Sequence, residues 1–287
     1  MARQEQVSAR GIRVATYNIW GASTPHRYWQ DRSELRGARP GSPVLTESDE
    51  STIWRRRRAL LATALRDARP DIVALQEVPA PQPGREDRAS VLARDIGGSG
   101  ERYQVALSTF GDGSRTAVLT RQQIQSQREF ALDAAADGFG GYPVVLEVAT
   151  AVATIWTTHL PVGPDSVKDA CVRELAERAA SARTDVPLLI CGDLNCQASS
   201  RQIRWLLDDG RIDDTWPAAG GAVETCTMPL PTPTWRLDYV LLRRQDGMRP
   251  VPGSACLLGT RPDGTGLFAS DHVGVAVDLE PARPFSY

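Results

Sequence analysis

Eight polar residues of this 287-residue chain sit where short apolar runs end: Asn18 in ATYNIW, Glu77 in ALQEV, His159 in TTHL, Asp193 and Asn195 in CGDLN, Asp238 in RLDYVLL, and Asp271 and His272 in SDHVGV. Sheet ends are where open α and β folds gather ligands and catalytic groups from distant parts of a chain. Carboxylates beside apolar runs are costly without a cation or a histidine to face, so these four ask for one. Singly, each residue has a plainer explanation. Glu77 suits a strand-end charge, Asn18 a turn, Asp238 an ion pair with Arg236, and either histidine a satisfied place at the rim. The joint pattern weighs against these, because both asparagines and two of the three histidines of the entire chain fall in these few positions.

The same stretch that holds Asp193 and Asn195, LLICGDLNCQ, also carries Cys191 and Cys196. A metal or redox pair would want CxxC spacing, and no second cysteine or histidine pair stands by to complete a zinc tetrahedron. The two thiols therefore read as packing. Five cysteines at irregular spacing suit a reducing compartment better than a disulfide framework.

Apolar patterning and turn punctuation predict strands over 12–20, 71–78, 115–120, 144–149, 152–160, 187–194, 236–242 and 273–280. Helices are expected over 52–68, with Trp54, Leu61, Leu65 and Ala68 on one stripe and Ser51 or Thr52 as N-cap, over 166–182 with Val172, Leu175, Ala176 and Ala179, and from Ser199 or Ser200 to about Asp209 with Ile203, Leu206 and Leu207. Elements alternate irregularly and 143–159 looks like a hairpin, so the class is mixed α and β rather than doubly wound. Polar segments 22–50, 79–100 and 245–268 read as loops, and 22–50, directly after Asn18, is expected to border the site. With no proline-rich linker, residues 1–287 are read as one domain.

Charge is nearly balanced, 33 Lys+Arg against 35 Asp+Glu, so no global positive field forces a nucleic-acid partner. Basic residues cluster at Arg55 to Arg58 and at Arg243, Arg244 and Arg249, and the first run, spread around a helix, reads as a solvated face more than as a nucleic-acid footprint. Tyr28, Trp29 and Trp54 are candidates for stacking on bases or sugars. The N-terminal segment lacks a signal-peptide core, and no run approaches a membrane span, so the expectation is a soluble, cytoplasmic monomer with no membrane insertion.

In their order, YNIW, DIVALQEV, TTHL, CGDLN, RLDYVLL and SDHVGV closely resemble the endonuclease/exonuclease/phosphatase superfamily, the fold shared by DNase I, abasic-site endonucleases, bacterial sphingomyelinases and inositol-polyphosphate 5-phosphatases. The resemblance spans roughly residues 12 to 280. It implies an α+β, four-layer α/β/β/α sandwich with two mixed sheets face to face and a metal-dependent site at one end. Asn18, Glu77 and Asp271 would then hold Mg²⁺, with Mn²⁺ as the alternative. Asp193 would be the general base, Asn195 would hold the attacking water or a phosphate oxygen, and His159 and His272 would stabilise phosphoryl charge, with Asp238 orienting His272. Arg115 matches a position suited to binding substrate phosphate.

Substrate is set by loops more than by the catalytic set. TTHL is similar to the DNase I, sphingomyelinase and 5-phosphatase side, and TWRLDYVLL is similar to the abasic-site enzymes as well. The expected activity is a metal-dependent phosphoesterase for a phosphodiester of nucleic acid or a nucleotide-like substrate. The alternatives are a phosphatase or phosphodiesterase for a small soluble metabolite or lipid headgroup, and a noncatalytic relative that uses the fold for binding.

Overall fold

Successive side chains of a strand point to opposite faces, and in this chain both faces are apolar, so each sheet must be covered twice. The computed structural model describes residues 11–21, 47–79, 86–98, 102–109, 114–132, 143–182, 184–209, 211–244 and 246–282. Strand β1 (Ile12–Asn18) sends Val14 into one core and Ala15 and Tyr17 into another, and β8 (Leu188–Asp193) divides Leu189 and Cys191 from Leu188 and Ile190 in the same way. Three buried clusters result: one between the sheets, and one outside each sheet under helices. The architecture is a four-layer α/β/β/α sandwich.

Among the described residues the first sheet runs β11 (Met248–Pro250), β13 (Gly274–Pro281), β1, β2 (Ile72–Pro79), β4 (Ser114–Thr120), β3 (Gln104–Leu107), with β12 (Cys256–Leu258) also on β13. The second runs β5 (Ile124–Ala131), β6 (Val144–Thr150), β7 (Thr154–His159), β8, β10 (Asp238–Arg243), β9 (Ile212–Asp214). Both are mixed: β1 with β2 and β7 with β8 are parallel, and the neighbouring pairs are antiparallel. Helices α1 (Glu47–Ala68) and α2 (Arg88–Gly97) cover the first sheet, and α3 (Asp165–Ser181) and α4 (Arg201–Asp209) the second. A short α5 (Thr215–Ala218) follows β9.

The helical stripes expected from the sequence are buried: Leu61, Leu65 and Ala68 on α1, Val172, Leu175, Ala176 and Ala179 on α3, Ile203 and Leu206 on α4. Each large apolar side chain so covered contributes on the order of 1.5–3 kcal/mol. The start of α1 differs from expectation. It begins at Glu47, so Ser51 and Thr52 lie within the helix rather than capping it. The 79–100 stretch likewise contains α2, which buries Ala89, Leu92, Ala93 and Ile96 at helical spacing and is capped by Asp87 accepting from the Ser90 amide. The 245–268 stretch contains β11 and β12. Residues 22–46, with Tyr28 and Trp29, lie outside the described residues. Among the described residues no helix is long and apolar enough to cross a membrane.

Candidate active site

The two sheets end together, and each supplies half of a polar cluster. In the second sheet the parallel register of β7 and β8 sets His159 opposite Asp193, and the antiparallel register of β10 sets Asp238 opposite the same residue. Gly192 makes this pairing tight: a Cβ there would stand 2.1 Å from the Thr158 carbonyl oxygen. In the first sheet, β1 ends at Asn18, which pairs with Gln76. Strict alternation would send Gln76 and Glu77 to opposite faces. A bulge between Leu75 and Val78, with Glu77 at φ +55°, inserts one residue against β4 and lets both serve the seam. Gln76 reaches across it, donating to the Thr157 hydroxyl of the second sheet at 3.1 Å and accepting from Thr16 at 3.2 Å.

Asp193 is the hub. It is 1% exposed. Its Oδ1 accepts from the Asn195 amide at 2.9 Å and its Oδ2 from Asn18 Nδ2 at 3.0 Å. The Nε2 atoms of His159 and His272 lie 3.5 and 3.7 Å from Oδ2. Asn18 Nδ2 also donates to Glu77 Oε1 at 3.0 Å, while its Oδ1 accepts from the Trp20 amide at 2.9 Å. Asn195, held at φ +48°, places Nδ2 2.7 Å from the Leu160 carbonyl and 3.1 Å from His159 Nε2. Behind His272, Nδ1 meets Asp238 Oδ2 at 2.8 Å, and Asp238 is fully buried. Asp271 joins through Ser270, whose Oγ lies 2.7 Å from the Asn18 carbonyl and 3.3 Å from Asp271 Oδ1.

Eight of the nine residues predicted from sequence are therefore drawn into one cluster. Arg115, the ninth, is opposite Val78 beside the bulge, and its guanidinium donates to the Ser108 carbonyl at 3.2 Å rather than to the cluster. Asp238 does not pair with Arg236. That arginine is itself buried and bonds Asp214 at 2.7 Å.

Electrostatics separate the groups. Burial, reinforced by the charge of Asp238, raises the Asp193 pKa above the usual carboxylate range against the pull of both histidines and the Asn195 amide. Burial raises Asp271 too, opposed by His272 and Arg57. For His272 burial pulls the other way, but the charge and hydrogen bond of Asp238, with Asp271 and Asp193 behind them, lift it well above 6.5, which favours the imidazolium. The thiols stand apart. Cys191 lies in the inter-sheet core and Cys196 in the outer one, and burial pushes each to about 12.

Sequence reasoning missed Arg57. It was grouped with a solvated arginine run, yet it is 5% exposed and donates to the carbonyls of Ala269 at 2.9 Å, Trp20 at 3.0 Å and Ile19. Its position three after Trp54 and four before Leu61 was the available signal, because that spacing puts it on the buried stripe. The other basic residues of both runs for which partners are defined are ion-paired: Arg56 with Asp263, Arg58 with Asp95, Arg243 with Asp246, Arg244 with Asp213 and Arg249 with Glu280. Trp54 is covered by the Arg88 guanidinium, 4.3 Å from its ring centre.

Residues 15–272 match the model of the endonuclease/exonuclease/phosphatase family. The chain belongs to this family. Members of the family are phosphoric ester hydrolases, generally dependent on a divalent metal ion. Its sandwich is shared by D. rerio TDP2 in complex with a single-strand DNA product, at 15% identity and a TM-score of 0.65 over 94% of this chain and 99% of that one. A family protein from Bacteroides thetaiotaomicron is similar at 15% identity and a TM-score of 0.68 over 95% and 98%. Another, from Beutenbergia cavernae, reaches 22% and 0.60 over 95% and 72%. At these identities the likeness is one of fold. No curated protein matches the sequence.

Proposed function

We propose that this chain hydrolyses a phosphodiester of nucleic acid or a nucleotide-like substrate, by in-line attack of a water deprotonated at Asp193. The observation that carries this reading is the surroundings of Asp193. A buried carboxylate with a raised pKa, one oxygen fixed by a backbone amide and the other facing two histidines, is a proton acceptor set beside groups that stabilise negative charge. Asp193 takes the proton as the water oxygen bonds to phosphorus and the bond to the leaving oxygen breaks. His272, kept charged by Asp238, and His159, steadied by Asn195, face the phosphoryl oxygens as their charge grows. Arg115, which among the described residues gives one donor to the Ser108 carbonyl, is the residue we assign to substrate phosphate.

The donor set suits a hard divalent cation. Among the described residues, Asp193, Asp238 and His272 bring ligand-type atoms within 4.8 Å of one another. That trio is committed to its own hydrogen bonds, His272 with Asp238 and Asp193 with Asn18 and Asn195. Glu77 and Asp271 offer carboxylate oxygens on the adjoining side, and Asn18 would offer its Oδ1 by turning it from the Trp20 amide; tied together through the Asn18 side chain and Ser270, they are the residues we assign to Mg²⁺, with Mn²⁺ as the substitute. When bound there the ion supplies neutralisation of phosphate and leaving-group charge.

Trp235 favours the nucleotide-like substrate. It is 42% exposed on a hairpin paired through Met228, and the same hairpin bonds Asp271 through the Leu230 amide at 2.8 Å. An open indole next to the site gives a base a face to stack on. The DNA product bound by the TDP2 relative is consistent with that choice. Hydrolysis of DNA, RNA, bis-p-nitrophenyl phosphate and p-nitrophenyl phosphate, with and without EDTA, tests the proposal. Diesters should turn over faster than the monoester, and chelation should abolish activity until Mg²⁺ is restored. A monoester preference, or full turnover after exhaustive chelation, overturns it.

A further inference from the structure

We infer that Arg57 is a positioning residue, an internal cation on α1 that fixes the two backbone segments carrying Asn18 and Asp271 before any divalent ion arrives. The inference rests on the assignment of Asn18, Glu77 and Asp271 as the ion's ligands. A buried guanidinium normally meets a carboxylate. This one instead spends its donors on three backbone carbonyls: Ile19 and Trp20 just past β1, and Ala269 just before Ser270. The planar fork is what allows one side chain to bridge two segments more than two hundred residues apart in sequence.

From those carbonyls the path to the ligands is one peptide long in each direction. The Ile19–Trp20 peptide gives its oxygen to Arg57 and its N–H to Asn18 Oδ1, so the guanidinium fixes the peptide on which the Asn18 side chain rests, between Glu77 and Asp193. On the other side, Ala269 precedes Ser270, whose hydroxyl joins the Asn18 carbonyl and Asp271. The Arg57 guanidinium also stacks on the Trp20 ring, 4.9 Å from its centre, and Trp20 is held at φ +47°. A tryptophan in the left-handed region needs its surroundings to hold it there. Charge adds a second effect. Asp271 and Glu77 both act on Arg57 electrostatically, so the guanidinium offsets repulsion between carboxylates that would otherwise splay while no ion is bound.

The test uses the full chain with Arg57→Lys, which keeps the charge and loses the fork, and Arg57→Met, which loses both. Mn²⁺ binding is measured by calorimetry, and exchange of the Trp20 amide proton by NMR without metal. Both variants should bind Mn²⁺ about 10- to 100-fold more weakly, Met more so than Lys, as when the support of a ligand is removed. Both should also exchange the Trp20 amide faster. Folded variants with wild-type Mn²⁺ affinity and a slow Trp20 amide overturn the inference. Wild-type protein that binds no Mn²⁺ would instead sink the ligand assignment, while the amide still reports on the clamp. Should neither variant fold, the wild-type Arg57 Nε proton decides: slow exchange supports the clamp, and exchange at the free-arginine rate overturns it.

Discussion

The two halves of the site are braced differently. On the first sheet, Arg57 reaches in from α1, fully buried, and spans three carbonyls on two segments. On the second, Lys168 reaches in from the first turn of α3, half-buried, and donates to the single carbonyl of Asn195 at 2.8 Å. It is the only lysine in the chain. Backbone demand explains the difference. The first half holds Trp20 and Glu77 at positive φ, a region both residue types avoid, whereas the second asks it of Asn195, which tolerates that region well. Where the sequence already prefers the bend, one point donor is enough, and where it resists, a rigid fork is used.

The comparison breaks or sharpens under substitution. Asp193→Asn should cost most, about 10⁴-fold in kcat on bis-p-nitrophenyl phosphate, because both halves converge on that carboxylate and general-base contributions reach this size. A loss below tenfold would mean the base lies elsewhere. Asp238→Asn and His272→Ala should each lower kcat by about 10²- to 10³-fold, and the double variant little more than the worse single, since the pair acts as one unit. In Asp238→Asn the alkaline limb of the rate profile should also move to lower pH. The charge and hydrogen bond that raise His272 are then gone, so the imidazolium is lost earlier as pH rises. Additive losses in log kcat would show that Asp238 works independently of His272.

Lys168→Met should lower kcat by about tenfold, near 1.4 kcal/mol, with KM little changed, and Lys168→Arg should recover part of it. An unchanged kcat with a lower melting midpoint would leave Lys168 as ordinary scaffolding. The smallest effect is expected from Cys191→Ala with Cys196→Ser. The two thiols are protonated and lie in different cores, so kcat and Mn²⁺ affinity should stay near wild type, and loss of metal binding in the folded double variant would make them ligands.

The polar cluster was legible because its members interrupt apolar runs, and a strand that spends six residues on packing advertises the one it does not. Most of the longer strands and the stripes of α1, α3 and α4 followed from the same periodicity, whereas β5 did not, because its eight residues include no buried one to mark a face. Short edge strands such as β9, β11 and β12 carry three residues each, too few for alternation to register. Helix α2 showed a proper apolar spacing, but it lies among glycines and prolines that read as loop. Arg57 was hidden by its neighbours, since in a run of four arginines nothing but phase distinguishes the buried one. The bulge at Glu77 left no mark in composition, because what produces it is the pairing of Leu75 and Val78 with β4. Trp235 could not be told from a core tryptophan by sequence, as exposure depends on what the hairpin faces.

Because the polar cluster straddles the seam between the sheets, anything gripped there is fastened to both at once. Asn18 answers to Asp193, and Asp238 to His272, across that boundary. A phosphate product held in the same place would act as a rivet, adding its own binding free energy to the cohesion of the sandwich. At a hundredfold excess over its dissociation constant that is about 2.7 kcal/mol. Letting go of product and loosening the two sheets thus become linked events, and an enzyme that turns over must keep that rivet weak.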